Sequence, residues 1–218
     1  MIIIIIPAFN EAKWIKKVVG EVKAAGYQVV VVDDCSKDNT AALAEKAGAA
    51  VLRHVINRGQ GAALRTGTNW AIENGAKIIV HFDADGQFRI EDIARVIKPV
   101  ISGKADVVFG SRFLDHSTKL PWAKRFLIMP LARLVNQVLF GVRLTDPQSG
   151  FRAFTAEVGK NLKWRQDRMA HASEILAQII QGRWRIVEVP ITVIYHEFGQ
   201  GFSGGLKILK DIFIKKLS

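Results

Sequence analysis

The sequence has one cysteine, Cys35, in 218 residues. That excludes an internal disulfide framework and any zinc site built on several thiolates, and it favours a reducing, cytoplasmic compartment. Acidic residues are also scarce, with 20 Asp and Glu against 31 Lys and Arg for a formal charge of +11. This sign points to an anionic partner, whether nucleic acid, a phosphorylated substrate or an acidic membrane surface, without choosing among them. No apolar run approaches the roughly 20 residues of a membrane span. The opening MIIIIIP stops at Pro7 with neither a basic leader nor a cleavage site, so it reads as a first strand. Repeats, low-complexity tracts and interdomain linkers are missing too. At 49% hydrophobic residues the chain has ample material for one core, which excludes disorder.

What is present alternates. The run IIIII is followed by a helical pattern (Trp14, Ile15, Val18, Val19, Val22), then QVVVVDD, an Ala-rich helix, AAVLRH, a helix over about 62–73 and KIIVHFDAD. This βαβαβαβ order predicts an α/β fold with a parallel sheet and right-handed crossovers. After ADVVFGSR the alternation gives way to a Pro-punctuated apolar and basic segment. A loop, LTDPQSGFRAF, a helix near 170–181 and two short strands around RIVEVPITVIYH follow.

Three strands end in polar clusters that a sheet would set along one edge: PAFNE, VVDDCSKDNT and HFDADGQ. Asp38 or Asn39 can cap the next helix, but capping leaves the pair Asp33 and Asp34 unexplained. In DADGQ a turn at Gly86 can bring Asp83, Asp85 and Gln87 to one cation. Such hard oxygen ligands suit Mg²⁺ or Mn²⁺, which keep waters and take further ligands from substrate phosphates. NRGQGAALRTG places Gly59 and Gly61 at a helix start, where free N–H groups favour an anion. It is neither a P-loop nor a dinucleotide fingerprint.

In this order and spacing PAFNE, VVDDCSKDNT, NRGQGAALRTG, DADGQ, GSR and TDPQSGFRAF resemble the family 2 glycosyltransferases of the GT-A fold. Within them the likeness is to the branch of dolichol-phosphate mannose synthase and bacterial polyprenyl-phosphate glycosyltransferases, over about residues 2–207. The resemblance implies a Rossmann-like, mostly parallel central sheet flanked by helices, a catalytic domain over 1–203 and a basic amphipathic helix over 204–218. It also implies an inverting, metal-dependent hexosyltransferase that moves a sugar from a UDP- or GDP-sugar to a polyprenyl (dolichyl or undecaprenyl) phosphate, with no nucleic acid as partner.

Carried onto matching positions, the resemblance gives nucleotide contacts to Pro7, Ala8, Phe9, Asn10, Glu11, Asp33 or Asp34, Asn57, Gly61, Asp83 and Ala84. It gives the Mg²⁺ or Mn²⁺ to Asp83, Asp85 and Gln87, and acceptor phosphate contacts to Arg112 and Arg125. Asp146, Ser149 and Arg152 fall near the sugar, and Ser149 and Arg152 join His196, Ser203 and Lys207 as contacts to the acceptor or diphosphate. Gln60 stands where lysine is frequent, His196 where arginine is common, and GQGFSGGLK only loosely matches the G-x-S-K loop. A polyprenyl phosphate is already anionic, so positioning and charge neutralisation carry the reaction; a hydroxyl acceptor would require a carboxylate base, Asp146 or Glu174.

Residues 119–143 contain no acid and interleave Lys119, Lys124, Arg125, Arg133 and Arg143 with large apolar groups. This fits helices lying in the interface of an anionic bilayer, and the tail from 204 repeats the theme. Some relatives carry transmembrane helices after the catalytic domain; none is expected here, which implies a peripheral protein on the cytoplasmic face. Rival readings are a haloacid-dehalogenase-type phosphatase, whose D-x-D-G usually closes the first strand, a sugar nucleotidyltransferase, and a non-enzymatic basic protein bound to membrane or nucleic acid.

Overall fold

The computed structural model describes residues 1–114 and 144–194. The predicted interface segment 119–143, the tail from 204, and Arg125, His196, Ser203 and Lys207 lie outside the described residues.

The five isoleucines after Met1 become β1 (Ile2–Ala8), and QVVVVD becomes β2 (Gln28–Asp33). Uninterrupted apolar runs are what a strand covered on both faces needs. Ile4, Ile6, Val29 and Val31 pack against α1 (Ile15–Ala24) and α4 (Glu91–Ile101) on one side. Ile3, Ile5 and Val30 pack on the other side with Leu64 and Ala71 of α3 (Gln60–Glu73) and Ile175 and Ile179 of α6 (His171–Gln181). Alternate residues of one strand therefore feed two separate cores.

Completing the sheet are β3 (Ala50–Arg53), which α2 (Thr40–Lys46) precedes, β4 (Ile78–His81), β5 (Val107–Ser111), β6 (Arg152–Thr155) and β7 (Ile186–Pro190). The order is β3-β2-β1-β4-β6-β5-β7. All neighbours are parallel except β6, which runs antiparallel to both β4 and β5. The sheet is thus mostly parallel and flanked by helices, as expected.

Three details differ from what the sequence predicts. FRAF, expected as loop, is the inserted antiparallel strand β6, leading into the short helix α5 (Ala156–Asn161). Helix α4, absent from the predicted alternation, spans the β4–β5 connection. Of the two strands expected around RIVEVPITVIYH, one forms among the described residues as β7, and Val193 contributes an isolated bridge to Phe88. Among the described residues, no helix is long and apolar enough to cross a membrane.

Candidate active site

The chain moves outward from β1 through β2 to β3, then returns to place β4 on the other side of β1. Ligands of open α/β sheets bind beyond the carboxyl ends of the strands where the order reverses. A cleft of about 500 Å³ opens at that point. Pro7, Ala8, Phe9 and Glu11 line it from the end of β1, Asp83, Ala84, Asp85 and Gln87 from the end of β4, and Arg112 from just past β5. The remaining wall comes from Asp34, Gln60, Ala63 and Met169.

Backbone contacts fix the rim. Asn10 takes a left-handed conformation (φ 57°), its N–H donates to Ser36 Oγ at 2.9 Å, and its own Oδ1 accepts from Lys37 N at 2.9 Å. Glu11 N donates to Thr40 Oγ1 at 2.8 Å and Ala12 N to Asp38 Oδ2 at 3.1 Å. Asp38 also accepts from Thr40 N at 3.0 Å, whereas Asn39, the residue at the α2 N-cap position, makes no side-chain cap bond. The polar clusters after β1 and β2 are therefore stitched to each other, and Asn10 spends its amide oxygen on that seam rather than on the cleft.

Asp34 is turned inward. Its carboxylate accepts from Arg58 N (3.0 Å), Gly59 N (2.6 Å) and His54 Nδ1 (2.6 Å). The anion at the N-terminus of α3 thus comes from the chain itself, which corrects the expectation that this turn is open to a ligand. Asn57 joins the same anchor, donating to Asp34 O at 3.2 Å. Gly61 is required for packing: a Cβ there would overlap Gln166 O and lie 2.7 Å from His171 Cβ. Its carbonyl accepts from the indole of buried Trp164 at 2.9 Å. Asp33 is fully buried, with Oδ2 3.4 Å from Arg53 Nε of the neighbouring strand. Asn57, Gly61 and Asp33 do not line the cleft.

Asp83 and Asp85 face it together. Burial, and then the neighbouring charge of Asp85, push the Asp83 carboxyl up to about 6, against the pull of Arg152 and Arg112. Burial and the charges of Asp85, Asp38 and Asp83 raise Glu11 as well. This mutual repulsion is what a cation would relieve. Gln87 N donates to Asp85 Oδ1 at 3.0 Å and fixes the turn, while Gln60 Nε2 donates to Asp83 Oδ1 at 2.9 Å. Gly150 backs the site, since a Cβ there would sit 2.6 Å from Asp83 Oδ2. No group of three or more His, Cys, Asp or Glu side chains converges as a metal cage among the described residues. A carboxylate pair in an open cleft fits Mg²⁺ or Mn²⁺ held partly by water and substrate oxygens.

On the far wall Arg112 grips Asp146 with Nε to Oδ2 at 2.7 Å and Nη2 to Oδ1 at 2.8 Å. Glu188 of β7 holds the same loop from below, accepting from Thr145 N and Asp146 N at 2.8 Å each. Ser149 is buried and its hydroxyl donates to Phe151 O at 3.4 Å, which makes it part of the turn rather than an exposed phosphate contact. Glu174, the other carboxylate expected as a base for a hydroxyl acceptor, accepts from Arg165 N at 2.9 Å and Gln166 N at 2.8 Å.

Arg152 is fully buried on β6, opposite His81 in the β4–β6 register. Its Nε and Nη1, and His81 Nδ1, have no hydrogen-bond partner among the described residues. Burial lowers Arg152 to about 10 despite the favourable charge of Asp83. A guanidinium so placed supports Asp83 from inside instead of reaching an exposed diphosphate. Met169, His171 and Glu188 carry no motif in the sequence that marks them. Only the folded chain brings them to Asp83 or to the Asp146 loop.

Comparison with known proteins agrees with this geometry. Residues 3–161 match the family described as glycosyl transferase family 2. A UDP-N-acetylglucosamine–dolichyl-phosphate N-acetylglucosaminyltransferase of Methanococcus voltae is 36% identical over 245 residues, spanning 100% of this chain and 95% of that protein. A polyprenol monophosphomannose synthase of Mycolicibacterium smegmatis is 33% identical, spanning 97% and 84%. Glucosyl-3-phosphoglycerate synthase from Mycobacterium tuberculosis, solved in complex with Mn²⁺, uridine diphosphate and glucosyl-3-phosphoglycerate, superposes with a TM-score of 0.71 at 18% identity, covering 94% of this chain and 74% of that one. With the sheet order, the carboxylate pair and the family match in agreement, the chain belongs to glycosyltransferase family 2.

Proposed function

We propose that the protein is an inverting glycosyltransferase that moves a sugar from a nucleotide-sugar donor to a polyprenyl phosphate. The observation that carries this choice of acceptor is the state of Asp146 and Glu174, the two carboxylates that the sequence offers as a base for a hydroxyl acceptor. Asp146 is held by Arg112 through both oxygens, and Glu174 is spent on two backbone N–H groups. An acceptor hydroxyl would need one of them free to take its proton. A phosphate acceptor brings its own anionic nucleophile. The Methanococcus and Mycolicibacterium relatives, named for dolichyl-phosphate and polyprenol acceptors, support the same reading.

In this reading the nucleoside lies along Pro7 to Glu11, and Asp83 and Asp85, with Gln87 beside them, hold a Mg²⁺ or Mn²⁺ on the donor diphosphate. Such an ion would supply charge neutralisation to the leaving nucleoside diphosphate. The chain's own part is to orient the donor and to fix Arg112 at the far wall, where the Asp146 pair and Glu188 preset its guanidinium for the acceptor phosphate. The basic, apolar stretches 119–143 and 204–218 support a peripheral position on the cytoplasmic face of an anionic membrane, from which the lipid acceptor is reached.

A thermal-shift panel tests the donor half. UDP or GDP with Mn²⁺ is expected to raise the melting temperature, since a ligand that binds only the folded state stabilises it. With Asp83 raised to about 6, its carboxylate is available above that pH and protonated below it. At subsaturating Mn²⁺ the shift is therefore expected to be full at pH 7.5 and to fade as pH falls through about 6. A shift that is independent of Mn²⁺ and unchanged at pH 5 would contradict the metal assignment.

A further inference from the structure

A second, smaller cavity of about 170 Å³ adjoins the cleft behind the two aspartates. It shares Gln60, Asp83, Asp85, Gln87, Arg112 and Met169 with the cleft, and its lining adds the buried Arg152 and His171 and the exposed Gln148. It is smaller than the roughly 300–1,000 Å³ that hold drug-sized ligands, so it suits one sugar ring rather than a whole nucleotide. His171 begins α6, is 3% exposed, and its Nδ1 lies 2.8 Å from Arg168 O. A backbone carbonyl can only accept, so Nδ1 carries the proton, and the neutral ring offers Nε2 as a lone pair. No described residue bonds to that Nε2.

We propose that His171 is a specificity-determining residue for the donor: its Nε2 accepts a hydrogen bond from one hydroxyl of the sugar seated in the 170 Å³ cavity. The inference rests on the glycosyltransferase reading and adds to it the group that recognises the sugar. Burial, reinforced by the nearby Arg152 charge, lowers His171 to about 4, so the ring is neutral at physiological pH and remains an acceptor. The fold holds the ring in place. His171 Cβ packs against Gly61, and Glu174, one turn along α6, anchors the preceding loop through Arg165 N and Gln166 N. A buried acceptor positioned this rigidly penalises a sugar that lacks the matching hydroxyl, because the nitrogen is then left unpaired.

The test pairs deoxy sugars with variants. Among UDP-N-acetylglucosamine, UDP-glucose and GDP-mannose, the donor that binds most tightly in Mn²⁺ is chosen by calorimetry, and its monodeoxy analogues are then measured. In the parent protein one deoxy position is expected to weaken binding about 10-fold, the worth of one such hydrogen bond. In His171→Leu that same position is expected to cost nothing, with the affinity for free UDP or GDP unchanged. His171→Gln, which keeps an acceptor near the Nε2 position, is expected to restore part of the penalty. Equal deoxy costs in parent and His171→Leu would overturn the proposal. If His171→Leu does not fold, as judged by circular dichroism, the glutamine variant and the parent series decide, and a parent indifferent to every deoxy position overturns it. A parent that binds none of these nucleotides in Mn²⁺ overturns the transferase reading itself, a result distinct from failure of His171 alone.

Discussion

Asp85→Asn is expected to leave the fold intact and to weaken Mn²⁺-dependent binding of UDP or GDP by about 100-fold or more. The direction follows from charge: an amide oxygen at this position keeps the shape but loses the negative charge that holds a divalent ion. The size follows from comparison, since losing only an outer partner of a metal ligand typically costs about 10–100-fold in affinity. Asp85 is partly exposed and accepts from Gln87 N, a contact an asparagine oxygen can keep, so stability should not fall. The charge of Asp85 also raises Asp83, so the variant's remaining carboxylate should ionise at lower pH than the parent's. Calorimetric titration of UDP and GDP with and without Mn²⁺ checks the claim. Equal metal-dependent affinity in variant and parent would remove the ion from Asp85.

The second large effect is on stability. Asp34→Asn is expected to cost about 2–3 kcal/mol, the range for losing hydrogen bonds to a buried carboxylate and leaving a buried donor unpaired. Asp34 is 3% exposed and accepts three donors, Arg58 N, Gly59 N and His54 Nδ1. An asparagine that keeps the oxygen facing Arg58 and His54 turns an NH₂ toward the Gly59 N–H, setting donor against donor. For a chain of this size the loss corresponds to a melting temperature lower by on the order of 10 °C. Thermal denaturation without ligand measures it. A variant that melts with the parent yet binds UDP and GDP poorly would return Asp34 to the role of a nucleoside contact.

These two aspartates mark what the sequence could and could not tell. The sheet was legible where strands were continuous apolar runs, as in IIIII and VVVV, because burial on both faces leaves no polar position to confuse the pattern. Strand β6 was not, because FRAF carries an arginine and follows Pro, Ser and Gly. Its pairing with β4 and β5 comes from segments distant in sequence. The carboxylates of DADGQ could be assigned to a cation from their spacing, and they do line one cleft. Asp34 looked equivalent to them, yet two of its three partners are backbone N–H groups 24 and 25 residues further along the chain, which no residue pattern records. Glu188 under the Asp146 loop and His171 behind Asp83 are tertiary in the same sense.

The central claim is transfer of a sugar to a lipid phosphate. The direct measurement incubates the protein with a radiolabelled sugar nucleotide, Mn²⁺, and either polyprenyl phosphate or the matching polyprenol, and follows label into the organic phase. With Asp146 and Glu174 both engaged, the phosphate is expected to be glycosylated and the alcohol not, giving a sugar joined through one phosphate with its anomeric configuration inverted relative to the donor. Label entering the polyprenol or a water-soluble sugar acceptor, with none in the polyprenyl phosphate, would contradict the account.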